Sequence, residues 1–134
     1  EGAGGRGDLH VYVRVKEHEF FVRDGNDLIC RTPISFAQAA LGGTIEVPTL
    51  TGKAEVKAPA GTQHGQVFRL AGLGLTDLRS GRKGDELVQV MIEIPRSLTK
   101  RQKELLREFS ETEDRQAMPE SKGFFEKLAD YLKG

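Results

Sequence analysis

Residues 86–95 read ELVQVMIEIP, and one rule governs them: Val88, Val90, Ile92 and Ile94 fall at every second position, and Pro95 ends the run. A period of two sends alternate side chains to opposite faces of an extended chain. This is therefore a strand with one apolar face, which a second layer has to cover. The same phrase occurs near the start. In RGDLHVYVRVKEH, Leu9, Val11, Val13 and Val15 alternate with His10, Tyr12, Arg14 and Lys16. Each run follows a basic residue and Gly-Asp, and the step from Gly7 to Gly84 is 77 residues, the span of one small β unit. If each phrase closes a unit, residues 1–20 are the closing strand of a preceding β-domain. A second unit then occupies residues 21–97. The chain opens at Glu1 with a Gly-rich EGAGGRG, as expected of a piece of a longer protein.

The interior of the second unit reads as short strands. Asp24-Gly25-Asn26 is a turn, Leu28–Pro33 a strand, and SFAQAALGG one or two helical turns, capped by Ser35 and stopped by Gly42-Gly43. Strands follow at Ile45–Val47 and Ala54–Lys57 around Thr51-Gly52, then at Gln66–Leu70. Residues 76–84, TDLRSGRKG, form a polar, basic loop before the closing strand.

Past Pro95 the period changes. Thr99-x-x-Gln102 has the form of a capping box, and Leu105, Leu106 and Phe109 follow at helical spacing. After the polar break ETEDRQAMPES, Phe124, Phe125, Leu128, Tyr131 and Leu132 make a second amphipathic stripe. The predicted architecture is mainly β: a small β-sandwich with a short internal helix, then a helical tail over residues 98–134. The tail stripe packs either on its own β unit or against a second protomer.

Charge limits the partners. Lys+Arg and Asp+Glu are both 20, so the formal net charge is zero, which argues against a general nucleic-acid binder. No apolar run approaches the length of a membrane span, and charge balance gives no reason to expect attraction to an anionic membrane.

The sequence carries no recognisable catalytic machinery. Gly72-Leu73-Gly74 lacks the third glycine of a dinucleotide fingerprint, and GRKGD lacks the Lys-Ser/Thr step of a phosphate loop. His10, His18 and His64 are scattered, with no nucleophile and carboxylate arranged around any of them. A single cysteine, Cys30, alternates with apolar neighbours and reads as a packing residue; alone it makes neither a disulfide nor a cysteine-based zinc site. The chain is not expected to be an enzyme.

Taken in order, GDLHVYVRVKEHEFFVRDGNDL, TPISFAQAALGGTIEVPTLTGKAEVKAPAGTQHGQVFRLAGLGL and GDELVQVMIEIPRSLTKRQKELL resemble the C-terminal region of the DnaJ-type co-chaperones. The Ile-Glu-Val-Pro-Thr-Leu-x-Gly form is closest to the class that also carries a zinc-binding, cysteine-rich module. The resemblance implies tandem client-binding β-sandwich domains, a C-terminal dimerisation helix, unfolded polypeptides as ligands and a DnaK-type ATPase chaperone as partner of the full-length protein. It places the protein in the bacterial cytoplasm, with an organelle matrix as the alternative. The family's His-Pro-Asp motif and its C-x-x-C-x-G-x-G zinc repeats do not occur in this sequence, so no cofactor is expected here. Transferred through the internal repeat, a client groove would use Cys30, Thr32, Ile45, Val47 and Leu98. Phe21 matches a groove aromatic of the preceding domain and would lack its partners. Dimerisation falls to Phe124, Phe125, Leu128, Tyr131 and Leu132. The competing reading is a structural spacer and dimerisation module with no client site of its own.

Overall fold

The structure is a computed structural model that describes residues 18–134. The expected closing strand at Leu9–Val15 lies outside the described residues. The chain divides at Ile94/Pro95 into two compact units.

Within the first unit, a four-stranded sheet has the order β1-β2-β6-β5, from β1 (Val22–Asp24), β2 (Asp27–Ser35), β5 (Val67–Leu70) and β6 (Glu86–Glu93). A second sheet is the antiparallel hairpin of β3 (Gly43–Thr49) and β4 (Gly52–Ala58). The sandwich expected from the sequence is present. The short helix α1 (Phe36–Leu41) sits where predicted, with a complete capping box: Gln38 N–H donates to Ser35 Oγ at 3.0 Å, and Ser35 N–H to Gln38 Oε1 at 3.0 Å. Gly42 follows it with φ +80°, where an added Cβ would lie 2.7 Å from the Ala60 nitrogen.

Two clusters make the interior. The larger joins Ile34 of β2, Ala39 of α1, Ile45 and Val47 of β3, Val56 and Ala58 of β4, and Val88 and Val90 of β6. It is the layer between the sheets, and the period of two selects its members. The smaller cluster is Phe21, Leu28, Cys30 and Leu75, with Leu50 against it.

Three features differ from the sequence expectation. Val22–Asp24 is a strand, paired with Asp27–Ile29 around a Gly25-Asn26 turn in which Gly25 has φ +62°. Three residues are too few to show a period. The long strands β2 and β6 pair in parallel, Leu28 beside Glu86 through Ser35 beside Glu93, so the chain crosses over between them by way of the other sheet. Phe21 does not lack partners: it is buried in the smaller cluster, because β1 turns it under Leu28 and Leu75.

In the second unit, α2 (Lys100–Glu111) starts at Thr99 with both arms of its capping box, Gln102 N–H to Thr99 Oγ1 at 3.1 Å and Thr99 N–H to Gln102 Oε1 at 2.9 Å. A 3-10 turn, Arg115–Ala117, interrupts the polar break, and α3 (Pro119–Lys133) opens with Pro119 in its first turn. Arg115 lies over the Phe125 ring, 4.2 Å from its centre, and Phe124 meets Phe125 edge to face at 5.0 Å.

Candidate functional site: an apolar recess beside a basic hairpin

Beyond β5 the chain reads AGLGL, and its glycines permit a close backbone crossing. A Cβ on Gly74 would lie 2.5 Å from the Asn26 carbonyl oxygen, and one on Gly84 only 2.0 Å from it. With no side chain in the way, Leu75 N–H donates to Asn26 O at 2.7 Å, Gly84 N–H to Leu75 O at 2.7 Å, and Gly74 N–H to Gly84 O at 2.9 Å. The glycine of the Gly-Asp phrase is thus fixed by contact. Its aspartate, Asp85, accepts from Gly72 N–H at 2.9 Å and from Arg69, which hold its carboxyl below the usual range. Asp85 N–H in turn donates to Asp27 Oδ1 at 2.7 Å.

This crossing sends Leu75 into the smaller cluster and leaves Leu73 and Leu78 outside it, at 36% and 57% exposure. With Leu50 at the tip of the β3–β4 hairpin, and with Thr49, Thr51 and Thr76, they line an open recess of about 280 Å³ that Lys83 also borders. The lining is mainly apolar and offers no nucleophile paired with a base. What it can do chemically is hold an apolar side chain.

The segment that closes the recess is a small ordered hairpin. Thr76 and Lys83 bridge across it, Asp77 N–H donates to Arg82 O at 2.7 Å, and Gly81 N–H to Asp77 O at 2.9 Å. Asp77 Oδ1 accepts from Arg79 N–H at 2.8 Å and Ser80 N–H at 3.2 Å, bonds that hold its carboxyl below the usual carboxylate range.

Glu86 is the least expected residue of the region. It is 0% exposed, and neither carboxylate oxygen has a hydrogen-bond partner. Burial raises its pKa from 4.5 to about 7. Its parity gives it away, since it shares the inward register of Val88 and Val90. The matching place in the first phrase, after Gly7-Asp8, holds Leu9. Cys30 is nearby and likewise favours its neutral form: burial pushes its thiol up, the Thr32 hydroxyl at 3.5 Å pulls it down, and Glu86 pushes it up again.

The five residues expected to line a client groove are not gathered into one. Ile45 and Val47, at 6% and 1% exposure, belong to the large cluster, and Cys30, at 3%, to the small one. Thr32 is half-buried beside Cys30, and Leu98 is half-buried in the other unit. The inward positions of β2 and β3 that the repeat pointed to, Cys30, Ile45 and Val47, are closed by packing and present no surface. The recess residues Leu73, Leu75 and Leu78 went unnoticed, although alternating Gly and Leu in AGLGL was a usable signal. In α3, by contrast, all five stripe residues are exposed, from Leu128 at 36% to Tyr131 at 79%.

Among the described residues no group of three His, Cys, Asp or Glu could hold a metal ion, and no helix is long and apolar enough to cross a membrane.

A two-sheet β unit with a short internal helix, followed by two amphipathic helices, defines the class. Residues 1–95 match the DnaJ C terminal domain family, and residues 101–134 match the family described as the Chaperone protein DnaJ C-terminal region. The chain belongs to the DnaJ C-terminal domain family. It is 52% identical over 131 residues to a Chaperone protein DnaJ of Opitutus terrae, an alignment covering 97% of this chain and 34% of the relative. That of Azorhizobium caulinodans is 52% identical over 132 residues, covering 98% and 35%, and that of Ruminiclostridium cellulolyticum 50% over 130 residues, covering 97% and 34%. The chain spans about a third of the length of the curated relatives it matches.

Proposed function

We propose that this chain is the polypeptide-binding and dimerising part of a co-chaperone, which holds non-native segments and presents them to a DnaK-type ATPase chaperone. The observation that carries this reading is the open, leucine-lined recess beside the Gly74–Gly84 crossing, found in a chain of the DnaJ family. It seats one large apolar side chain of an extended client. Sheet edges support it. Among the described residues β1 covers only the Asp27–Ile29 stretch of β2, and no described strand pairs with the outer side of β5. Backbone groups at such an edge recognise a strand of any sequence. Cys30 shares with Leu75 and Leu50 the small cluster that adjoins the recess, whereas Ile45 and Val47 belong to the larger cluster between the sheets.

The α3 stripe is the proposed dimer contact. Two copies of a weak site in one particle raise the grip on a chain that offers several apolar segments. We further propose that this part works without a cofactor and performs no catalysis, and that the protein acts in the bacterial cytoplasm.

The test is fluorescence anisotropy of a labelled apolar peptide against the 134-residue chain and its Leu73→Ser/Leu78→Ser variant. Micromolar binding that weakens about tenfold in the variant is expected, the loss of two partly exposed leucines from an apolar contact. If the unaltered chain binds no unfolded polypeptide, the β unit is a spacer.

A further inference from the structure

Three cations stand on the hairpin that closes the recess: Arg79, Arg82 and Lys83, all exposed. None forms an ion pair among the described residues, whereas Arg69 on β5 is engaged by Asp85 and Lys53 on β4 by Glu46. The only acid of the hairpin, Asp77, directs its Oδ1 to the Arg79 and Ser80 amides and its Oδ2 to the Asn26 side chain at 3.4 Å. Its charge is thus spent inside the turn, and the hairpin keeps a net charge of +2 in a chain whose total is zero. The fold of the hairpin also holds these cations in place. The Thr76–Lys83 bridge and the Asp77–Arg82 and Asp77–Gly81 backbone bonds fix its backbone. Lys83 itself borders the recess.

A mainly apolar depression with unpaired positive charge on one wall is complementary to a particular ligand pattern. The apolar side chain is taken out of water, while carboxylates next to it meet cations at the wetted rim, where desolvation costs little. We propose that the recess selects extended polypeptide segments in which a large apolar side chain is flanked by carboxylates, the apolar side chain among Leu73, Leu75 and Leu78 and the carboxylates against Lys83, Arg79 and Arg82. This rests on the client-binding reading and adds to it a charge preference that backbone pairing at a sheet edge does not supply.

The experiment uses three labelled peptides with one Leu/Phe core, flanked on both sides by paired Asp, Ser or Lys. Anisotropy is read with the whole chain at about 50 and about 500 mM NaCl. Two or three rim pairs of ordinary strength correspond to roughly tenfold tighter binding of the Asp-flanked peptide than of the Ser-flanked one at low salt. The Lys-flanked peptide should bind more weakly still, and the gap should close at high salt. Arg79→Ser/Arg82→Ser, outside the recess lining, should narrow the gap while leaving the Ser-flanked affinity unchanged, which also shows that the variant is folded. Equal binding of all three peptides overturns the charge preference and leaves the client-binding reading standing; no binding of any peptide overturns both. A single-stranded oligonucleotide that displaces the Asp-flanked peptide at equal concentration would show that the hairpin reads phosphate instead, and would also overturn the proposal.

Discussion

The β unit and the C-terminal helices both announce themselves by apolar periodicity, yet they treat their apolar residues in opposite ways. In the β unit, Leu28, Val47, Val88 and Val90 are at most 1% exposed. In α2 and α3 no residue is buried, and Phe124 and Leu132 stand 60% and 73% exposed. A sheet face is closed by a second sheet from the same unit, so the pattern there signals a finished core. A helix stripe closed by nothing in its own unit signals a surface for something else. The same kind of pattern thus separates a closed core from an exposed apolar stripe, and the proposed dimer contact falls on the second.

The contrast can be broken most severely in the β unit. Gly84→Ala puts a Cβ 2.0 Å from Asn26 O and 2.4 Å from its carbonyl carbon, both backbone atoms on which Leu75 N–H also depends. A loss of about 3 kcal/mol or more is expected in urea unfolding of the β unit. A variant of unchanged stability would show that the crossing is not a fixed element.

Glu86 gives an effect of similar size, but only at one end of the pH scale. Its folded pKa, about 7, lies above the unfolded value of 4.5. A raised carboxyl pKa means that the folded state holds the proton longer, so this group lowers stability as pH climbs from 4.5 to 7, after which its effect is constant. Glu86→Gln should therefore match the parent near pH 4 and exceed it by roughly 3 kcal/mol at pH 8. The difference in urea midpoints across this window checks it. A constant difference would mean that the carboxyl finds water or a partner when it ionises.

The smallest effect on the scaffold is expected from Leu128→Glu/Leu132→Glu on α3. Unfolding of the β unit should not move beyond a few tenths of a kcal/mol, as for other exposed positions. The particle mass in light scattering should nevertheless halve. A dimer that survives would displace the contact from this stripe, and a destabilised β unit would show that the two regions are not independent.

Much of this was legible residue by residue. The Ser35 cap and the Thr99/Gln102 capping box follow from the letters alone, because the bonds involved span three residues. So do the inward sets of β3, β4 and β6, and the change of regime at Pro95. Glu86 shares its parity with Val88 and Val90, but the apolar face was read only from position 88 onward, because a carboxyl with no partner is not expected inside. The groove residues show the limit of the same logic. The internal repeat placed Ile45 and Val47 in an open groove, but whether a face is open or covered depends on what packs over it. Here Ile34, Val88 and Val90 of the other sheet do.

The residues alone show what local forces set: where most strands and helices run, which face of each is apolar, how α1 and α2 begin, and a Gly-Asp phrase that occurs twice. Which elements meet was left to the tertiary fold. It put β2 beside β6 in parallel, made a strand of Val22–Asp24, drew Phe21 into this unit and opened a recess where AGLGL crosses Asn26. Each of these depends on contacts between residues tens of positions apart, whose free energy appears only when the chain has closed on itself.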